Sequence, residues 1–243
     1  MPPANRAVTA PAPRTPGAAR RGAARSLRGR FLTFEGIDGC GKTTQARRLA
    51  ERLRAAGLPV LETREPGGTE IGRQLRAVLL NADNAALAPL TELLLFLADR
   101  VQHLREQIRP ALARGAVVLC DRFHDATVAY QHYGRGLDLT PLRAFIAAEV
   151  LSTPPDATFW LDLPVPVALQ RIAARRAGDA SGAGADESRL DASEIAFHER
   201  VRAGYAAIAA AEPQRVLRID AAPAPEALHA RIWQALTERY DAV

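Results

Sequence analysis

Residues 31–49, FLTFEGIDGCGKTTQARRL, decide how the rest of the chain is read. Residues 31–35 have the composition of a short buried strand, residues 36–42 form a glycine-punctuated turn, and from Thr43 onward Leu49, Leu53 and their neighbours recur on one helical face. Residues 36–43 fit G-x-x-x-x-G-K-S/T in the strand, loop, helix order that this motif requires. The glycines let successive backbone N–H groups turn inward on phosphate oxygens, and the helix N-terminus adds a partial positive charge. The sequence holds 32 Lys plus Arg residues, and Lys42 is the single lysine among them. A compact ammonium reaches between phosphates where a planar guanidinium fits badly, so the one lysine stands where phosphate binding asks for it.

At 243 residues and 48% hydrophobic content the chain can bury one substantial α/β core. No apolar run approaches the roughly 18 residues of a membrane-spanning helix. Two cysteines, Cys40 and Cys120, are too few for a disulfide framework and read as reduced core residues of a cytoplasmic protein. The pI near 9.8 suggests nucleic acid until the charge is located. Residues 1–30 hold seven arginines (Arg6, Arg14, Arg20, Arg21, Arg25, Arg28, Arg30) and no acid, which leaves 25 basic against 27 acidic residues in the near-neutral remainder. Rich in Pro, Ala and Arg, residues 1–30 are expected to be a disordered extension ahead of a single domain over residues 31–243. Nucleic acid is not required by this distribution.

Further strands are expected at 60–63, 116–120, 158–163 and 216–219, with helices at 71–80, 90–109, 165–176, 192–211 and 226–240. Such alternation builds a five-stranded parallel sheet with helices on both faces. Open sheets of this type bind ligands at the carboxyl edge of their strands, which is where Arg64 stands. Phe96 and Arg100, at i and i+4 of one helix, point the same way and can act on one ligand. Asp121 and Arg122 end the buried run AVVLC; a carboxylate there is placed to hold Mg²⁺, and the arginine to neutralise phosphoryl oxygens. The next helix presents Thr127, Tyr130 and Gln131, hydrogen-bonding groups suited to lining a pocket. Between Arg175–Arg176 and Arg189 runs the glycine-rich AGDASGAGADES, which reads as a mobile lid over about residues 175–191.

Phosphate loops serve hydrolases, motors and kinases, but no guanine-reading N-K-x-D and no transporter signature is present. The blocks FEGIDGCGKTTQ, TREPGGTEIGRQLR, ELLLFLADRVQH, CDRFHDATVAYQ and AFHERVRAGY follow one another in the order of bacterial thymidylate kinases, which the chain resembles over roughly residues 31 to 240. The resemblance implies a nucleoside monophosphate kinase-like fold, a homodimer, and phosphoryl transfer from ATP to dTMP. It implies that Gly36, Ile37, Asp38, Gly39, Cys40, Gly41, Lys42, Thr43 and Thr44 hold the ATP phosphates, with Thr43 and Asp121 on Mg²⁺. Asp38 would take the sugar 3′-hydroxyl of dTMP, and Arg64 and Arg122 its phosphate. Phe96 would stack on thymine, Arg100 bond its carbonyl, Thr127 and Gln131 lie near the base, and Tyr130 crowd the sugar 2′ position. Gly39 stands where one branch of the family has an arginine, which implies the branch whose lid supplies it, here Arg189, with Arg175 or Arg176 as alternatives. Ala126 replaces a frequent serine. Two other readings remain: a kinase for another monophosphate, and a nucleic-acid-associated ATPase using the basic extension.

Overall fold

The computed structural model describes residues 26–178 and 195–240. Five strands, β1 (Phe31–Glu35), β2 (Val60–Arg64), β3 (Val117–Asp121), β4 (Ala157–Asp162) and β5 (Val216–Asp220), form one sheet in the order β2-β3-β1-β4-β5. Every pairing is parallel. Each strand falls within one residue of its expected position, because short apolar runs flanked by turn residues are the strongest local signal a parallel sheet leaves.

Alternate side chains of the central strands feed opposite faces. Leu32, Phe34, Val117 and Leu119 pack into one core with Leu49 and Leu53 of helix α1 (Lys42–Ala55), while Phe31, Val118 and Cys120 pack into a second with Leu93, Leu97 and Leu104. The second core is covered by α3, which runs Pro89–His103 and continues through a π-type segment Leu104–Ile108 into Arg109–Ala113. Helix α2 (Glu70–Leu80) packs beside it. After β3, α4 begins at His124–Thr127 and widens into a π-type segment Val128–Gly134. The chain then passes through α5 (Thr140–Leu142, Arg143–Phe145, Ile146–Val150), α6 (Val165–Gly178), α7 (Ile195–Ala211) and α8 (Pro225–Tyr240).

Two features depart from the sequence reading. The boundary expected after residue 30 lies earlier: Leu27 is 2% exposed within the first core, and Arg30 pairs with Asp156 at 2.6 Å. One leucine among arginines and glycines carries no periodicity, so nothing local marks Ser26–Arg30 as folded. Helix α5, too, was not anticipated. Its irregular turns and few buried residues, Ile146 and Val150, leave a weak pattern. Residues 1–25 lie outside the described part.

Candidate active site

The sheet order makes β1 and β3 neighbours, so the loops leaving their carboxyl ends face each other across one opening. Two glycines fix the first loop. Gly36 has φ 135°, and a Cβ there would lie 2.5 Å from the Leu161 carbonyl; Gly39 has φ 80°, and its Cβ would lie 2.6 Å from the Ala168 carbonyl of α6. Any side chain at position 39 would therefore run into a helix backbone.

A cavity of about 500 Å³ opens here. Asp38, Gly39, Gly41, Lys42, Thr43 and Thr44 line it from the loop and α1, Arg64 from β2, Phe96 and Arg100 from α3, and Asp121, Arg122, Thr127, Tyr130 and Gln131 from β3 and α4. Residues as far apart in sequence as Asp38 and Gln131 thus line one cavity. Gly36, Ile37 and Cys40, expected in the phosphate cradle, do not line it. They lie behind: Ile37 is 3% and Cys40 0% exposed, the Ile37 carbonyl accepts Lys42 Nζ at 3.0 Å, and the Gly36 carbonyl accepts Arg122 Nη1 at 3.0 Å. Arg189 lies outside the described residues. The side chain of Arg176 does too, whereas Arg175 lines the cavity.

Opposite charges meet at the floor. Asp38 Oδ1 accepts Arg122 Nη2 at 2.6 Å, its Oδ2 accepts the Tyr130 hydroxyl at 3.1 Å, and Lys42 Nζ stands 3.7 Å from Oδ1. Burial alone would raise the Asp38 pKa, but Arg122 and Lys42 outweigh it and hold the carboxyl far below the usual range. A carboxylate offers about four lone-pair sites, so Asp38 retains acceptor capacity toward the cavity. Arg122 adopts φ 72°, rare for a residue with a side chain, and its guanidinium lies 4.8 Å from the Tyr130 ring centroid.

On the α3 side, Arg100 is 2% exposed and nearly spoken for. Its Nε donates to Glu65 Oε2 at 2.6 Å, Nη1 to Thr127 Oγ1 at 2.7 Å and Nη2 to the Phe123 carbonyl at 2.9 Å. Five guanidinium N–H groups less these three leave two, on a fork that cannot swing. Phe96, half-buried one turn earlier, packs against the core and faces the same space. Gln131 donates to Glu92 Oε1 at 2.9 Å through Nε2, which leaves its amide oxygen to accept.

Sequence reasoning passed over Glu65, Arg76 and Arg171, which also line the cavity. Glu65 is 3% exposed and serves Arg100; Arg76 Nη1 donates to the Pro66 carbonyl at 3.1 Å; Arg171 donates to the Ala221 and Ala222 carbonyls at 3.1 and 3.0 Å. Charged residues on amphipathic helices read as solvent-facing, and only the run Arg64-Glu65-Pro66 after a strand hints at a ligand edge.

Two oxygen groups suit a hard cation. The Thr43 hydroxyl hydrogen-bonds Asp121 Oδ2, and both residues line the cavity. Glu65, His103 and Cys120 also converge within 4.8 Å. There, however, His103 already meets Glu65 at 2.9 Å and Thr63 at 2.7 Å, and burial lifts the Cys120 thiol well above its ordinary range. That cluster is a satisfied hydrogen-bond network.

A phosphate loop on a β2-β3-β1-β4-β5 parallel sheet, facing a second set of arginines and an aromatic in one cleft, defines a P-loop kinase of the nucleoside monophosphate kinase type. Comparison with known proteins narrows the class. The thymidylate kinase family model matches residues 34–232. A thymidylate kinase of Solidesulfovibrio magneticus is 52% identical over 203 residues, covering 84% of this chain and 96% of the relative. One of a Synechococcus strain is 48% identical over 209 residues, covering 86% and 95%. The crystal structure of thymidylate kinase from Ehrlichia chaffeensis superposes with TM-score 0.66 at 32% identity, covering 86% of this chain and 99% of that one. The chain belongs to the thymidylate kinase family.

Proposed function

We propose that the chain transfers the terminal phosphoryl group of ATP to dTMP, giving ADP and dTDP for dTTP synthesis. The observation that carries this reading is that one cavity is lined by a phosphate loop, by Phe96 and Arg100, and by Arg122, which is bonded to the loop. An aromatic face beside a fixed guanidinium suits a flat base with a carbonyl, and a half-buried arginine bonded to the phosphate loop suits an acceptor phosphate.

Phosphoryl transfer needs alignment and charge neutralisation more than a strong base. Lys42 and the loop amides hold the ATP phosphates. Arg122, seated by Asp38 and Tyr130, takes the acceptor phosphate, joined by Arg64 at the rim. Asp38 spends its remaining acceptor capacity on the sugar 3′-hydroxyl, and the buried Tyr130 ring fills the space a 2′-hydroxyl would need. Thr127 fixes Arg100 and, with Gln131, borders the base. Thr43 and Asp121 would hold Mg²⁺, which would supply positive charge to neutralise the phosphate oxygens during transfer. The lid arginine is Arg189 by resemblance, with Arg175 the alternative at the cavity wall.

A coupled assay with ATP, Mg²⁺ and a panel of monophosphates tests the reading. dTMP is expected to be the best acceptor, and a preference for UMP, CMP or AMP would sink it.

The same reading includes a homodimer. Ile71 and Val78 of α2 and Leu90 and Leu94 of α3 are 50%, 44%, 56% and 47% exposed on two adjoining helices, an apolar face suited to a second copy. Light scattering on the full chain should give twice the monomer mass, and Leu94→Glu should halve it. No helix among the described residues is long and apolar enough to cross a membrane. With two buried free cysteines, this supports a cytoplasmic enzyme.

A further inference from the structure

Glu35 ends β1 directly before the phosphate loop, is 0% exposed and does not line the cavity. Two neutral donors converge on its carboxylate: Phe123 N–H reaches Oε1 at 2.6 Å, and the Tyr205 hydroxyl reaches Oε2 at 2.8 Å. The Tyr205 oxygen in turn accepts Arg122 Nη1 at 3.3 Å. Arg122 N–H donates to the Phe34 carbonyl at 2.9 Å. Consecutive amides, Arg122 and Phe123, are thus gripped by consecutive residues of β1, the first by a main-chain oxygen and the second by a side chain.

That grip bears on the one residue whose backbone needs it. Arg122 has φ 72°, the only positive φ outside glycine among the described residues. A residue with a Cβ keeps such a conformation only where its surroundings over-determine it. Phe34 and Glu35 fix the two amides at Arg122 and Phe123, and Gly36, Asp38, Tyr130 and Tyr205 receive the guanidinium. Tyr205 belongs to α7, so the carboxylate also ties that helix to the loop after β3. Burial and the nearby Asp125 carboxylate push the Glu35 pKa up to about 7, so keeping a carboxyl here has an energetic cost that packing alone does not require.

We propose that Glu35 is a positioning residue for the acceptor phosphate: through Phe123 N–H and the Tyr205 hydroxyl it holds Arg122 in its left-handed turn, with the guanidinium aimed at the phosphoryl group. This rests on the reading of Arg122 as the acceptor-phosphate arginine. Glutamine at position 35 offers one acceptor oxygen for two donors, so one arm is lost. Tyr205→Phe removes the other arm with a single hydroxyl.

The discriminating measurement is calorimetric titration of the full chain with dTMP and with thymidine, which lacks the phosphate. In Glu35→Gln and Tyr205→Phe, dTMP affinity is expected to fall about 10-fold while thymidine affinity stays within about 2-fold. A merely structural role would weaken both ligands together, and that result, or an unchanged dTMP affinity, overturns the inference. If Glu35→Gln does not fold, Tyr205→Phe decides. Equal binding of dTMP and thymidine by the unaltered protein would overturn the reading of Arg122 and this inference with it; a normal dTMP preference in the variants overturns this inference alone.

Discussion

Glu65 is held between Arg100 and His103, with Oε2 2.6 Å from Arg100 Nε and Oε1 2.9 Å from His103 Nδ1. His103 Nε2 continues the chain to Thr63 Oγ1 at 2.7 Å. All three charged or ring side chains are at most 3% exposed. Burial would raise the Glu65 carboxyl pKa, but Arg100 and His103 together hold it below its ordinary value. Glu65→Ala strands a buried guanidinium and is expected to cost about 3–5 kcal/mol, read from urea denaturation. Loss of less than about 1 kcal/mol would mean that Arg100 finds another partner, contrary to its fixed geometry.

Phe96 presents its ring to the cavity while its other side packs on the core. Phe96→Ala removes a stacking surface for the base without touching Lys42 or Arg122. The KM for dTMP is expected to rise roughly 10-fold to 100-fold, with kcat changing only a few-fold. Steady-state kinetics with varied dTMP at saturating ATP measure both, and a fall confined to kcat would contradict the assignment.

Asp121 and Thr43 form the oxygen pair at the phosphate loop. Asp121→Asn keeps the shape and removes the charge. The Mg²⁺ concentration for half-maximal rate should increase about 10-fold to 100-fold, with dTMP binding unaltered. A magnesium titration of initial rates that overlays the unaltered protein would remove Asp121 from the metal site.

The Glu35 carboxyl is pushed up to about 7 in the folded protein from an ordinary 4.5, so the folded state holds its proton over a pH range where the unfolded chain has released it. The stability this contributes is therefore complete below about pH 4.5 and is lost as pH rises through 7, about 3 kcal/mol in all. Asp99, pushed up to about 6 by burial and by Glu65, acts in the same direction over a lower window. Glu35→Gln isolates the first effect. Its stability relative to the unaltered protein should improve between pH 5 and pH 8 in chemical denaturation. A pH-independent difference would refute the shift.

Arg189→Ala is expected to lower kcat by about 10³-fold while leaving the KM for dTMP nearly unchanged, as for an arginine that neutralises charge only during transfer. Arg175→Ala, at the cavity wall, should cost about 10-fold. Normal turnover of Arg189→Ala with a collapse in Arg175→Ala would exchange the two roles.

Strands β1, β3 and β4 were legible because each is a short, largely apolar run ended by turn residues, and the phosphate loop because its glycines and lysine answer a backbone requirement within eight residues. Phe96 and Arg100 were legible as a pair because helical spacing alone puts them on one side. Glu35 and Glu65 were not. A carboxylate reads as solvent-facing until its partners are known, and those of Glu35 lie 88 and 170 positions away. The burial of Leu27 was hidden for a related reason, since it comes from a distant core.

By itself, then, the sequence determined the parallel α/β fold, the phosphate-binding loop and the residue types of an acceptor site, because backbone conformation and periodic apolarity are local properties. Which side chains are held rigid, and by what, was decided only in three dimensions. Gly39 faces the Ala168 carbonyl, Glu65 pins Arg100, and Glu35 holds the turn at Arg122 because parallel crossovers bring the carboxyl ends of β1, β2 and β3 together. Charge in a buried cleft is stabilised by such neighbours, and apart from Lys42 beside Asp38 they come from distant stretches of the chain.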